Sequence, residues 1–325
     1  MGEPIAIIGA GITGLAAAMV LSLDHKVTII ARDHPGDLGL AWASPWAGAI
    51  YHPQKDASAS EQKMQRASFQ YYWNLAHRED SSKSGVLILP MTEYFDDWTD
   101  EQSIWYRDLM PNYQILNKSE LPENCTSGVK YASISMNPVL LLPYLMQKLE
   151  VRGVKFVRKE VMSYEEVRHL TGTRIVVNAS GVGAKALGDL SVKPIRGQTM
   201  FVKTKFNELV MREGSEYTYV IPRAGSGGVI MGGIKSDRMD AEVDVELKSD
   251  ILRRVNRITN NAFDEIDLET VSDIVAFRPG RDGGLRVERN GDVVHAYGAA
   301  GAGYIYSFGV AARVQELIEQ TRARL

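Results

Sequence analysis

Pro4-Ile5-Ala6-Ile7-Ile8-Gly9-Ala10-Gly11-Ile12-Thr13-Gly14 stands at the head of the chain. Residues 4–8 are a short apolar run rich in β-branched side chains, the pattern of a strand buried on both faces. Three glycines follow at the spacing Gly-x-Gly-x-x-Gly, and residues 15–23 carry a small-residue helical pattern. Lys26-Val27-Thr28-Ile29-Ile30 reads as a second strand, so the unit is βαβ with its glycines where strand passes into helix. The three glycines serve different ends. Gly9 permits the tight turn, Gly11 lets a pyrophosphate approach the backbone, and Gly14 lets helix and strand pack closely. The helix N-terminus offers unpaired N–H groups and a positive dipole end to the phosphates, with Ala10, Ile12 and Thr13 completing the loop. The spacing predicts a dinucleotide site. Arg32-Asp33 comes about 20 residues further on, where an acid binds a ribose hydroxyl and an arginine accommodates a 2′-phosphate. The motif leaves FAD, NAD and NADP open.

The far end of the chain helps to choose. Val293-Val294-His295-Ala296-Tyr297 reads as a strand, residues 298–304 as a second glycine-rich turn, and 308–322 as a helix. The chain thus returns to the nucleotide domain, and this last helix would aim its N-terminus at the pyrimidine end of a flavin. That arrangement favours FAD. Between the two ends, residues 60–77, 138–149 and 244–261 read as helices, and 154–157 and 174–179 as strands. The second of these strands runs into Ser180-Gly181-Val182-Gly183, a turn small enough for close cofactor approach. Segments 194–204, 217–222 and 228–234 alternate as an antiparallel sheet. The expected fold is α/β: a Rossmann-type FAD-binding domain, assembled from residues 1–50, 132–190 and 270–325, with a second domain on a mainly antiparallel sheet. Residues 51–131 and 191–269 form that substrate and interface domain.

Composition excludes other classes. The 325 residues carry 37 Lys and Arg against 40 Asp and Glu, a net charge of −3, so no basic surplus exists for a nucleic acid. Cys125 is the single cysteine, which rules out an internal disulfide and a cysteine-based metal or iron–sulfur site. No pattern suggests a metal. No apolar run approaches the ~18 residues of a membrane span, and no charged segment precedes the first apolar stretch as in a signal peptide. The expectation is an intracellular protein without a membrane partner.

Together these pieces resemble the D-amino-acid oxidase family of FAD flavoproteins. The resemblance runs in order through the Gly9–Gly14 turn, Ala43-Ser44-Pro45-Trp46-Ala47-Gly48, Pro194-Ile195-Arg196-Gly197-Gln198, Tyr219-Val220-Ile221-Pro222, Gly232-Gly233, Phe277-Arg278-Pro279 and the stretch from His295 through the following glycines. It implies FAD held without a covalent link. It also implies oxidation of a D-amino acid to the imino acid by hydride transfer to flavin N5, with O2 as the second substrate and H2O2 as product. Hydrolysis then gives the 2-oxo acid and ammonia. Arg278 takes the place of the family's substrate arginine, whose planar fork pairs bidentately with an α-carboxylate, and Tyr219 that of the substrate tyrosine. These two are the catalytic pair. Gly301 falls where a carbonyl accepts from the substrate amine, Ile50 beside the flavin, and His52 in the pocket nearby. Besides the Gly9–Gly14 turn, the resemblance places Arg32, Asp33, Ala43, Ser44, Ala47, Gly48, Val161, Ser180, Gly181, Arg278, Gly301, Gly303, Tyr304 and Ile305 against the cofactor.

Within the family the chain is most similar to D-aspartate oxidases. Arg212-Glu213-Gly214-Ser215, just ahead of Tyr219, resembles their arginine-acid-Gly-Ser segment, and Lys235 stands where they have a second arginine. Two cations there would bind a second carboxylate, so D-aspartate is the expected substrate, with D-glutamate and N-methyl-D-aspartate as further candidates. A neutral-preferring D-amino-acid oxidase, a glycine- or sarcosine-type amine oxidase, a non-catalytic flavin-binding protein and, on Arg32 alone, an NADP-dependent dehydrogenase are the competing readings. Ala323-Arg324-Leu325 resembles a peroxisomal address. The resemblance therefore implies a peroxisomal import receptor as a partner and the peroxisomal matrix as location. A homo-oligomer is compatible with all of this.

Overall fold

The computed structural model describes residues 2–98, 104–234, 236 and 238–322. Lys235 and the Ala323-Arg324-Leu325 tail lie outside the described residues. The strands are β1 (Gly2–Ile8), β2 (His25–Ala31), β3 (Val86–Phe95), β4 (Gln114–Ile115), β5 (Ser127–Met136), β6 (Lys155–Arg158), β7 (Ile175–Asn178), β8 (Val192–Lys203), β9 (Leu209–Glu213), β10 (Thr218–Arg223), β11 (Gly228–Gly232), β12 (Ser272–Arg281), β13 (Arg286–Asn290) and β14 (Val293–Tyr297). The helices are α1 (Ile12–Leu21), α2 (Ala59–Arg78), α3 (Ser81–Ser84), α4 (Pro138–Val151), α5 (Tyr164–Thr171), α6 (Val245–Ile258) and α7 (Gly303–Arg322).

The opening βαβ unit forms as its sequence dictates. β1 is buried from Ile5 through Ile8 and lies between β2 and β7, parallel to both. Ala16, Ala17 and Ala18 are fully buried, and their small side chains let α1 pack against both α4 and α7. The six-stranded sheet runs β13-β14-β7-β1-β2-β6, parallel except for the β13–β14 hairpin. Its strand order reverses at β1, and in an open α/β sheet a ligand binds beyond the strand ends at such a point.

The second sheet has eight strands in the order β12-β8-β11-β10-β9-β3-β5-β4, antiparallel except for the β3–β9 pair. Its outer face is covered by α6, where Ile251 and Val255 meet Met200, Val202, Val220 and Met231 in an apolar cluster. Burying each such side chain contributes about 1.5–3 kcal/mol. The two-domain α/β architecture stands, but two expected boundaries move. β12, assigned by sequence to the FAD domain, pairs along its whole length with β8 and so belongs to the eight-stranded sheet. The expected boundary at residue 132 cuts through β5, which pairs continuously with β3 from Ser127 to Met136. The last helix starts at Gly303 rather than Phe308, because a 3₁₀ turn over Ala300–Ala302 feeds directly into it. Among the described residues no helix is long and apolar enough to cross a membrane, and no cluster of His, Cys, Asp and Glu is suited to a metal.

Candidate functional site

One cavity of about 580 Å³ runs from the C-terminal end of β1 to the inner face of the eight-stranded sheet. At one end the three glycines behave as their spacing demands. Gly9 has φ +103°, and a Cβ on it would sit 2.4 Å from the Ala179 carbonyl. A Cβ on Gly14 would sit 1.9 Å from the Gly9 carbonyl, so Gly14 serves the packing of helix on strand and does not line the cavity. Ser44 reaches over to accept the Ile12 N–H at 3.0 Å, satisfying one of the open donors of α1. The Trp42 indole N–H, close to Gly11, is buried with no hydrogen-bond partner among the described residues. A buried donor left unmade costs free energy, and an anionic group lying over Gly11 would supply its acceptor.

The other expected cofactor residues line this cavity too: Ala10, Gly11, Thr13, Arg32, Asp33, Ala43, Ala47, Gly48, Val161, Ser180, Gly181, Gly301, Gly303, Tyr304 and Ile305. α7 presents its N-terminus to it, placing the positive end of the helix dipole there. Ala49 and Ala300 hold positive φ angles of 44° and 49° on its wall, strain of the kind that functional sites retain. These features fit a dinucleotide stretched from β2 to the second sheet. Arg32 is paired with Asp33 at 2.8 Å and Glu160 at 3.1 Å. Its fork is thus engaged by two carboxylates in this structure.

At the other end Arg278 and Tyr219 line the cavity together. Arg278 donates to the Ile234 carbonyl at 3.0 Å, and no carboxylate of the described residues is within ion-pairing distance. The guanidinium lies across Gly197, where a Cβ would be 2.5 Å from Nη1. Gly232 and Gly233 make the same kind of room: a Cβ on either would come within 2.6 Å of the Tyr219 ring. A Cβ on Gly301 would lie 3.7 Å from Arg278 Cδ. Ile50 and His52 also line the cavity.

Arg212 does not. Met211 pairs with Tyr219 and Arg212 with Thr218 across the β9–β10 ladder. Directly paired residues share a face, so Met211 joins Tyr219 on the cavity and Arg212 turns to the opposite side. There its buried guanidinium pairs with Asp96 at 3.2 Å and Glu216 at 2.9 Å. The next residue, Glu213, returns to the cavity wall. The expected substrate-binding role of Arg212 is therefore corrected: the carboxylate after it, not the guanidinium, faces the substrate end.

His52 is held by acids. Its Nε2 hydrogen-bonds Glu93 and lies 3.7 Å from Glu213. Glu93 is 1% exposed and also accepts from Tyr131 at 2.8 Å and Tyr106 at 3.0 Å. Burial, reinforced by the Glu93 charge, pushes both phenols well above the ordinary tyrosine value, so they act as neutral donors. Tyr217 packs edge-on against Tyr219, ring centroids 5.6 Å apart, and closes the cavity beside it.

Residues 4–317 match the FAD dependent oxidoreductase family. The chain belongs to this family. A relative named D-amino-acid oxidase, from Schizosaccharomyces pombe, is 29% identical, with 94% of this chain and 93% of that protein covered. A D-aspartate oxidase of Talaromyces thermophilus is also 29% identical, with 98% and 95% covered. Glycine oxidase from Geobacillus kaustophilus has the same fold, with a TM-score of 0.74 at 19% identity over 97% of this chain and 94% of that one. Sequence reading passed over several residues that the structure places in or beside the cavity. Trp42 lies directly before the Ala43–Gly48 segment, and its ring nitrogen was the missed signal. Tyr217 and Met211 share the strands and turns of named residues. Glu93 had no local signal, since its importance comes from partners distant in sequence.

Proposed function

We propose that this protein is an oxidase of D-amino acids that binds FAD non-covalently. The observation that carries the reading is Arg278, a cavity-facing guanidinium with no acid partner among the described residues, in the same cavity as Tyr219. An α-carboxylate is the ligand such a planar fork fits best. The Tyr219 hydroxyl donates to the same carboxylate, and the Gly301 carbonyl accepts from the amine. With both groups held, the Cα–H is oriented toward the cofactor, and positioning supplies most of the effect. Tyr217 and Met211 wall off water. When bound, the flavin supplies a two-electron acceptor that oxygen restores, with H2O2 as the product. The imino acid leaves and hydrolyses to the 2-oxo acid and ammonia. Oxygen uptake by the yellow holoenzyme on D- but not L-amino acids tests this. Flavin that resists release by acid precipitation would contradict the non-covalent part.

A narrower preference for a D-dicarboxylate keeps one support, the sequence position of Lys235, and is opposed by Glu213 on the wall. The ratio of kcat/KM for D-aspartate to that for D-alanine decides it. A ratio above about ten supports the acidic reading, and a ratio below about one removes it.

A further inference from the structure

Arg223 ends the strand that carries Tyr219, and it stands two residues beyond Ile221 on the same face. Tyr219 and Ile221 line the cavity; Arg223 does not, but it reaches the segment of Ala47 and Gly48, which does. Its Nη2 donates to the Ala47 carbonyl. Its Nε is shut off from solvent with no hydrogen-bond partner among the described residues. No carboxylate of the described residues pairs with it, and Tyr304 and Tyr219 are the groups whose charge it would feel. Burial pushes its pKa down to about 10, which still leaves it charged at neutral pH. The fully buried arginines differ: Arg212 and Arg254 have acids, and Arg196 has a chain of carbonyls with Gln198 and Asp240 at 4.0 Å. A protein that removes a cation from water ordinarily supplies a counter-charge. Here the cation has no such partner among the described residues, and it is tied to the backbone of Ala47, which lines the cavity.

We infer that Arg223 is an electrostatic positioning residue whose counter-charge is the reduced cofactor. A flavin that accepts two electrons and one proton gains one negative charge, and a fixed cation behind the wall favours that form over the oxidised one. Arg223 touches neither substrate nor reacting atoms; it acts through the field it sets across the Ala47 backbone. The inference rests on the placement of FAD in this cavity.

The test compares holoenzyme carrying R223K, which keeps the charge, with R223Q and R223M, which lose it. The probe is sulfite, an anion that adds reversibly to oxidised flavin and leaves negative charge on the ring. Its dissociation constant is read from the loss of the visible flavin band. Loss of one desolvated charge should weaken sulfite binding about tenfold in R223Q and R223M, equivalent to ~30 mV for a two-electron couple, with FAD still bound. R223K should stay within about threefold of the unaltered protein. If the residue only anchors the Ala47 segment, glutamine can still donate to that carbonyl, so R223Q would retain sulfite affinity and the inference falls. It falls equally if R223K is as weak as R223M, or if the neutral variants lose flavin while R223K holds it, because the residue would then build the site. Failure of the unaltered protein to bind flavin would count against the functional reading instead, and is seen before any variant is made.

Discussion

Met211 faces Tyr219 across the β9–β10 ladder, and this one pairing turns Arg212 away from the substrate. The consequence is testable in kinetics. Arg212→Met should destabilise the fold by up to about 3–5 kcal/mol, the cost of breaking a buried ion pair from one side. It should leave the ratio of D-aspartate to D-alanine efficiencies unchanged. A selective loss on D-aspartate would mean that the guanidinium reaches the cavity after all.

Glu213 takes the place that Arg212 was expected to hold. Its carboxylate opposes a second carboxylate on the substrate, so Glu213→Gln should raise the D-aspartate to D-alanine efficiency ratio. A gain on the order of tenfold corresponds to ~1.4 kcal/mol. Steady-state kinetics on both substrates with the same preparation checks it, since uniform losses of active enzyme cancel.

Asp96 gives the ion pair a pH signature. Burial works to raise its pKa, but the Ser215 hydroxyl and N–H and the Arg212 guanidinium outweigh burial and hold it below the ordinary carboxylate value. A carboxylate lowered in the folded state contributes stability that is fully present above its unfolded value, near ~3.9. That contribution is lost as pH falls through the lower folded value. Melting curves of Asp96→Asn should therefore lie below those of the unaltered protein at about pH 6 and draw together with them as pH falls below ~3.9. Parallel curves across that range would contradict the pairing.

The opening βαβ unit was legible because its information is local. Apolar runs, glycine spacing and helix pattern fall close together in the chain, and the glycines proved to stand where a Cβ would collide. Arg278 and Tyr219 were legible through long motifs, and the structure brings them to one cavity. What stayed hidden depends on pairing between distant strands. The face on which Arg212 projects is set by its partner Thr218, and a shift of one residue moves every side chain to the other side. β3 was not foreseen: Pro90 interrupts its apolar run, yet Pro90 sits opposite Ala132 in a strand that remains paired. The start of α7 was masked by glycines, which read as turn even where they enter a helix.

Gly197 entered the sequence reading only as part of a motif, and its geometry predicts a specific defect. A Cβ 2.5 Å from Arg278 Nη1 must push the guanidinium aside. Displacement of about 1 Å can cost roughly 100-fold in rate, so Gly197→Ala should lose about that in kcat/KM while keeping its flavin spectrum. Normal efficiency would show that Arg278 has freedom the structure does not indicate.

The central claim is that Arg278 holds the substrate carboxylate, and the most direct measurement is kcat/KM of Arg278→Ala on its best D-amino acid at matched flavin content. Removing one partner of a buried charge pair costs roughly 2–5 kcal/mol, so a loss of about 30- to 5,000-fold is expected. Efficiency within about threefold of the unaltered enzyme, with fold and flavin intact, would contradict the account.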